Sequence, residues 1–426
     1  MAQSTPSARA SAAVPPTASK PESDPPADAS ADSAASAPDP YRPVDPAALG
    51  ALEEEARTTG SSALVVRQDG KLLRSSWFGS GRAPIQSMSI TKSVLALVVG
   101  CLLKEGKLSV ETPVAQFFPA WNGSPKAKIT VSHLLSHSSG LEEGDSTSEI
   151  YRSKSFVDHA LSSKLQFEPG THYEYGNRAA NLLAGVIARA AGKTTEQASK
   201  ECLFEPLGIQ RFVWSVDARG QAHGLAGLFL LPDDLAKIGE LVLGRGVYEG
   251  RRVLPEDWVL KVTESPAPQE PPHKPMAWLW WRLSERTTRV VDDTILDAWR
   301  RAKVPEEVTA KVQPLSGRAF TSNLEFVGAL REAFGDASLK VLSEEVYAKK
   351  LPDAHYSFGR FLGSYAHGSL GQFLVVVPEQ KLVAVRMRRP PRSAVERKSV
   401  EKSFPDFPDR VIALTQLRQE ATTFSK

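Results

Sequence analysis

Apolar residues change their period several times along this chain, and each change marks an element. Residues 46–59 (PAALGALEEEARTT) read as a helix, with Asp45 placed to cap its first turn. Residues 62–78 (SALVVRQDGKLLRSSWF) are two β-rich runs around Asp69-Gly70, the signature of a tight hairpin. From Ser89 to about Thr263 the pattern is mostly helical. AWLWW (277–281) then reads as a strand, and 372–387 (QFLVVVPEQKLVAVRM) as a hairpin turning at Pro378–Gln380. Residues 406–421 predict a closing amphipathic helix. Strands at both ends with helices between them predict an α/β fold: one antiparallel sheet flanked by helices, with a helical subdomain inserted at about 89–263. The stretch 285–357 repeats a helical period in LDAWRRA, FVGALREAF and LSEEVYAKK, and predicts an extra helical insert. It is either a cap over a site or a packing element, and with loop 142–168 it is expected to shape the pocket.

Residues 1–44 show no period and are dominated by Ala, Ser, Pro and Asp. Such a segment buries too little apolar surface to offset the entropy of ordering, so it predicts a disordered tether before a domain spanning 45–420. No apolar h-region follows Met1, so no signal peptide is seen in the sequence as given. Tethers of this composition often follow export or lipoprotein signals, and a periplasmic or exported location is the expectation. The chain has 426 residues, 41% hydrophobic and 24% charged, with a formal net charge of +3 and scattered basic residues. No basic stripe marks a nucleic-acid partner. No stretch approaches 18 uninterrupted apolar residues, so no transmembrane segment is expected. The two cysteines, Cys101 and Cys202, lie in apolar helical contexts and read as buried free thiols.

Chemistry concentrates in three blocks. In PIQSMSITKSVLALVVGCLLKEG, Ser89 and Lys92 stand three apart at the head of an apolar helix, which places both side chains on one face. A serine hydroxyl is a weak nucleophile alone, and a neighbouring ammonium together with the positive helix N-terminus favours its alkoxide. The same S-x-x-K spacing recurs at Ser399 and Lys402, but in a charged segment that opens no apolar helix. In FEPGTHYEYGNRAANLLAGVIARAAG, Tyr175 and Asn177 precede a second apolar helix. A Tyr facing a Lys loses its proton more readily and can pass one between nucleophile and leaving group. Asn177 can hold the Lys amine or a substrate carbonyl; the plainer alternative is a buried Tyr with an Asn capping the helix. In GSYAHGSLGQFLVVVPEQKLVAVRM, the glycines around His367 and Gly368 let a strand approach a ligand, and its N–H groups could complete an oxyanion hole with the N–H of Ser89. His367 reads equally as a strand-edge residue.

These blocks, in this order, resemble the class C β-lactamase-like serine hydrolases, a bacterial group that includes D-alanyl-D-alanine carboxypeptidases, family VIII esterases and 6-aminohexanoate-dimer hydrolases. ITVSHLLSHSSGL (129–141), GLAGLFLLPDDLAKIGELVLGRGVYEG (224–250) and WLWW strengthen the likeness, which covers about 46–282 and 358–420. The resemblance implies Ser89 as nucleophile, Lys92 as its partner, Tyr175 as general base and Asn177 as the substrate-side amide. It implies no metal and no cofactor, and gives His133 and His137 structural roles. The third block departs from the family's Lys-Thr-Gly. With its glycine on Gly368, Ala366 takes the Lys position, His367 the Thr position, and Ser369 supplies the second oxyanion N–H. A one-residue shift would put His367 at the Lys position and Leu370 as donor; the first register keeps LGQF in phase with its strand. Either way the cation that grips a β-lactam or peptide carboxylate is missing. The expectation is therefore a serine hydrolase acting on a small-molecule ester or amide through an acyl-Ser89 intermediate. The alternatives are a penicillin-recognising carboxypeptidase or β-lactamase, and a non-catalytic binding protein on the same fold. Oligomeric state is left open.

Overall fold

A computed structural model describes residues 41–390 and 404–415, apart from positions 80, 145, 272, 322, 336–337 and 350. The 1–40 part of the tether, Ser399 and Lys402 of the second S-x-x-K, and residues 416–421 of the closing helix lie outside the described residues.

Asp45 accepts from the N–H groups of Ala47 and Ala48 and so starts helix α1 (Pro46–Thr58) where the capping signal placed it. Strands β1 (Ala63–Gln68) and β2 (Lys71–Trp77) form the expected hairpin, with Asp69 and Gly70 both at positive φ. The chain crosses β3 (Ile85–Gln86) into α2 (Ile90–Lys104), passes shorter helices including α3 (Val131–Leu135), and enters α4 (Asn177–Ala191). Strands β4 (Phe212–Trp214) and β5 (Leu228–Leu230) pair with β3 into a small sheet, so the region 89–263 is not purely helical. Helix α5 (Pro232–Leu243) follows. After β6 (Trp281–Ser284) and the insert, β10 (Phe361–Gly368), β11 (Gln372–Val377) and β12 (Leu382–Met387) lead to α6 (Phe407–Ala413).

The main sheet has six antiparallel strands in the order β2-β1-β12-β11-β10-β6. Its strands come from both ends of the chain, as the pattern predicted, because a central strand buried on both faces needs partners wherever they occur in sequence. Alternation divides the sheet. Ala63, Val65, Ala366, Leu374, Val383 and Val385 pack in one core with α2 and α5. Leu64, Val66, Phe373, Val375 and Ala384 pack in a second with α1 and α6. Helix α2 is buried from Ile90 through Leu102, which is why its sequence from Val94 onward is apolar all round.

Three expectations are corrected. The strand expected at 277–281 begins only at Trp281; Trp278 and Trp280 instead lie buried against the core, with the Trp280 indole donating to Ser93 O of α2 at 3.2 Å. The insert is not only helical: β7 (Thr287–Val290), β8 (Ala319–Phe320) and β9 (His355–Phe358) form their own sheet, and with four helices they enclose a separate core around Trp299, Phe320 and Phe326. The cysteines are not free. Cys101, in the last turn of α2, is bonded to Cys202 with Cα atoms 6.2 Å apart, across 101 residues of sequence. Each cysteine sits in a helix, and only the packing of those helices brings the pair together. No helix among the described residues is long and apolar enough to cross a membrane.

Intact-mass analysis after alkylation in denaturant should show no thiol adduct before reduction and adducts on both cysteines after it. Cys202→Ser should lower stability to denaturant by about 2–5 kcal/mol, the usual range for losing a bridge that closes a long loop.

Candidate active site

The nucleophile candidate sits at a sharp turn between β3 and α2. Met88 takes φ of 50°, a left-handed conformation uncommon outside glycine, and delivers Ser89 to the first turn of the helix. Ser89 makes no capping bond, so its hydroxyl is available to its neighbour one turn on. Lys92 Nζ lies 2.9 Å from Ser89 Oγ and donates a second bond to Leu225 O at 2.8 Å. Only 2% of Lys92 is exposed, and no carboxylate stands within ion-pair distance of it among the described residues. Leu225 is fixed in turn by Asn181, whose side-chain oxygen accepts the Leu225 N–H at 3.1 Å. Sequence reading missed both; the signal was a polar residue at 181, buried in the apolar face of α4.

Tyr175 presents its ring to the same ammonium, with Nζ 4.9 Å from the ring centroid. The segment that carries it is held by His137. The carbonyl of His137 accepts the Glu174 N–H at 2.8 Å, its Nδ1 accepts the Gly176 N–H at 2.9 Å, and its ring lies 4.5 Å from that of Tyr175. His137 is fully buried at φ of 55°. Burial, aided by the charge of Lys92, pushes its imidazole down to about 3, so at neutral pH Nδ1 stays an acceptor and the proton sits on Nε2. His133 also serves the backbone: its Nδ1 accepts the Thr130 N–H at the start of α3. Asn177 is the first residue of α4, and its backbone N–H bonds Glu143 at 2.7 Å.

The third block reaches the nucleophile through Gly368. A β-carbon there would stand 2.7 Å from Ser87 O, 2.8 Å from Met88 Cβ and 3.0 Å from the Ser89 nitrogen, so only glycine lets β10 close onto the nucleophile turn. Pairing of β10 with β6 ends at Tyr365, which leaves the edge from Ala366 to Gly368 without a partner strand among the described residues. Exposed Ser369 opens the turn that follows, and Leu370 and Gly371 take positive φ. Beneath this turn the buried Arg386 donates to Leu370 O at 3.3 Å and to Gly371 O at 2.6 Å.

His367 departs from its expected place. In the β10–β11 ladder Ala366 pairs with Leu374 on the α2 side, whereas His367 pairs with Phe373 on the α1/α6 side. Its ring stacks on Phe373 at 4.6 Å and lines a cavity of about 350 Å³ with Lys274, Arg289, Tyr365 and Asp409. Period-2 alternation therefore turns the imidazole away from Lys92 while its backbone stays beside the site. Burial pushes it down to about 3, helped by the charges of Lys274 and Arg386, so it offers no cation at neutral pH.

A sheet clad by helices, with a half-buried serine beside a buried lysine under a glycine-edged strand, is the arrangement of the β-lactamase fold. The chain belongs to the Beta-lactamase family, whose model matches residues 49–397. It is similar to the 6-aminohexanoate-dimer hydrolase of Paenarthrobacter ureafaciens, 26% identical over 253 residues that make up 53% of this chain and 64% of that protein. It is also similar to esterase EstB of Burkholderia gladioli, 27% identical over 186 residues, 37% of this chain and 47% of that one. The matches thus span about half to two thirds of these relatives. In fold it resembles the class C beta lactamase from Rhodobacter sphaeroides, with a TM-score of 0.52 and 17% identity over 87% of this chain and 99% of that chain.

Gly368→Ala should cost about 1–3 kcal/mol in chemical denaturation, because the new methyl presses on backbone that cannot yield without moving α2. Unchanged stability would show that β10 and the nucleophile turn are not in contact.

Proposed function

We propose that the chain is a serine hydrolase that cleaves an ester or amide bond through an acyl-Ser89 intermediate. The observation that carries this reading is the buried Lys92 ammonium, held 2.9 Å from Ser89 Oγ and 4.9 Å from the Tyr175 ring. Ser89 Oγ attacks the carbonyl carbon, and its proton passes to the Tyr175 oxygen, which acts as general base beside the Lys92 ammonium. Negative charge on the carbonyl oxygen is met by the N–H groups of Ser89 and Ser369 on either side of the Gly368 contact. Tyr175 returns the proton to the leaving alcohol or amine as the tetrahedral adduct collapses, and Asn177 binds the substrate carbonyl on the acyl side. Water then repeats the sequence, attacking the acyl group and releasing Ser89. The Cys101–Cys202 bridge supports an exported location, since disulfides persist in oxidising compartments.

The substrate class follows from the altered third block. Ala366 stands on the α2 side, at the position that the preferred register gives to the lysine of the family's Lys-Thr-Gly, and it offers no charge-assisted bond to a carboxylate. Such a bond is worth about 1.5–3 kcal/mol, roughly 10- to 150-fold in affinity. Small neutral acyl esters are therefore the preferred substrates, with β-lactams and D-alanyl peptides poorer ones.

Ser89→Ala should abolish both p-nitrophenyl ester hydrolysis and the mass adduct formed with a fluorophosphonate probe, with the melting temperature held within a few degrees. A wild-type protein that forms no adduct would overturn the acyl-enzyme reading. In a substrate panel, kcat/KM for a neutral p-nitrophenyl ester should exceed that for nitrocefin by at least about tenfold, and Ala366→Lys should narrow the gap. Efficient nitrocefin turnover by the unmodified protein would mean that another cation holds the carboxylate.

A further inference from the structure

The N-terminus of α4 is capped from a distance. Its own N-cap residue is Gly176, which has no side chain to offer. The carboxylate of Glu143 takes that place: Oε2 accepts the N–H groups of Asn177 at 2.7 Å and Arg178 at 2.8 Å, and Oε1 that of Ala179 at 3.2 Å. Gly176 makes this possible, since a β-carbon there would stand 2.9 Å from Glu143 Oε1 and 3.5 Å from His137 Nδ1. The segment Glu174–Ala179 is thus gripped from both sides, by His137 through the N–H groups of 174 and 176 and by Glu143 through those of 177 to 179. Tyr175 and Asn177 lie inside that grip.

We propose that Glu143 is a positioning residue, which holds Tyr175 and Asn177 in the geometry used at Ser89 and does so only as the carboxylate. The proposal rests on the acyl-Ser89 reading above. A protonated carboxyl turns one of its acceptors into a donor, and the first turn of α4 presents only donors to it. The helix N-terminus likewise favours the negative form. Among the described residues, the charged and titratable groups around Glu143 leave it no close ion pair. The guanidinium of Arg178 is turned to Glu142 O, Ser163 Oγ and the carboxylate of Glu149. His137 across Gly176 is neutral, and burial pushes the nearby Tyr173 phenol far up, so neither supplies charge at neutral pH. Lys92 is committed to Ser89 and Leu225. Burial pushes the Glu143 carboxyl up to about 7, with the three N–H bonds and Arg178 pulling the other way. The carboxylate that the three N–H groups require therefore fills across the neutral range and orients the Tyr175 segment there, while the buried charge makes that segment easier to open as the pH rises.

Two measurements test this. The first is the rate of Ser89 labelling by a fluorophosphonate, taken from pH 5 to 9 for the wild type and for Glu143→Gln. The ratio of the two rates cancels every titration they share. It should be near 1 at pH 5 and rise with a midpoint near 7 to about tenfold above pH 8, the effect of one charge-assisted hydrogen bond. Glu143→Asp should give a ratio of the same shape and smaller size. A ratio that is constant with pH would reduce Glu143 to an ordinary cap and overturn the proposal. The second measurement needs no activity: amide hydrogen exchange of residues 173–183, corrected for the intrinsic pH dependence of exchange. Because burial holds the folded carboxyl above its ordinary value, an opening that hydrates Glu143 releases a proton, so protection in the wild type should fall as the pH rises from about 5 to about 7, and stay flat in Glu143→Gln. Protection that is independent of pH in the wild type would overturn the proposal even if the glutamine variant fails to fold. Absence of labelling in the wild type at every pH would sink the acyl-enzyme reading instead, and exchange would then decide the role of Glu143 alone.

Discussion

The ammonium of Lys92 is the constraint around which this protein is arranged. Taking such a charge out of water costs several kcal/mol, and among the described residues no carboxylate offsets it. Two oxygens do so in part: the hydroxyl of Ser89 on the same helix and the carbonyl of Leu225, more than a hundred residues away. Leu225 in turn is set by Asn181 from inside α4. The site is therefore tied to α2, α4 and the segment before β5 at once, and shifting any of them would leave a buried cation short of an acceptor. The same charge helps to hold His137 and His223 in their neutral forms, although burial is the larger cause for both.

The sheet supplies the other half of the site through a single strand. Because β10 alternates regularly from Ser364 to Gly368, Ala366 and Gly368 face α2 while His367 faces the outer core. Gly368 closes on the nucleophile turn, and Arg386 on the neighbouring β12 pins the carbonyls of 370 and 371 just beyond it. Arg386 is buried and bonded to Ser61 Oγ and to carbonyl oxygens, with no carboxylate partner among the described residues, and burial pushes its guanidinium down to about 10. Two buried cations thus flank the junction of sheet and helices, one beneath the nucleophile and one beneath the turn. Both are met by oxygen dipoles, which fixes backbone as well as side chains.

The insert contributes differently. Its own core around Trp299 and Phe320 lets it fold as a small α/β layer, and its strands reach the sheet on the side of His367. The cavity they share with α6 holds Lys274, whose ammonium lies 3.9 Å from the Trp281 ring and whose pKa burial pushes down to about 8. This part of the molecule lies against the outer face of β10, so the insert packs beside the strand that edges the site.

The sequence by itself determined the local elements and the nucleophile pair. Asp45, Asp69-Gly70 and the apolar run from Val94 each act within a few residues, and the spacing of Ser89 and Lys92 needs only the helical period to bring them together. It also marked Tyr175, because a Tyr-Gly-Asn before an apolar helix is a local pattern. Tertiary structure decided the rest. Lys92 and the Tyr175 segment are held by the Leu225 carbonyl, by the Asn181 amide that fixes Leu225 and by the His137 imidazole, all supplied from distant segments, and a backbone oxygen such as Leu225 O leaves no trace in the identity of its residue. The cysteines paired because two helices pack side by side, and His367 turned outward because the register of β10 against β11 fixes which alternate residues face α2. Period and capping are properties of neighbours in sequence, whereas register, close approach and the satisfaction of a buried charge are properties of neighbours in space.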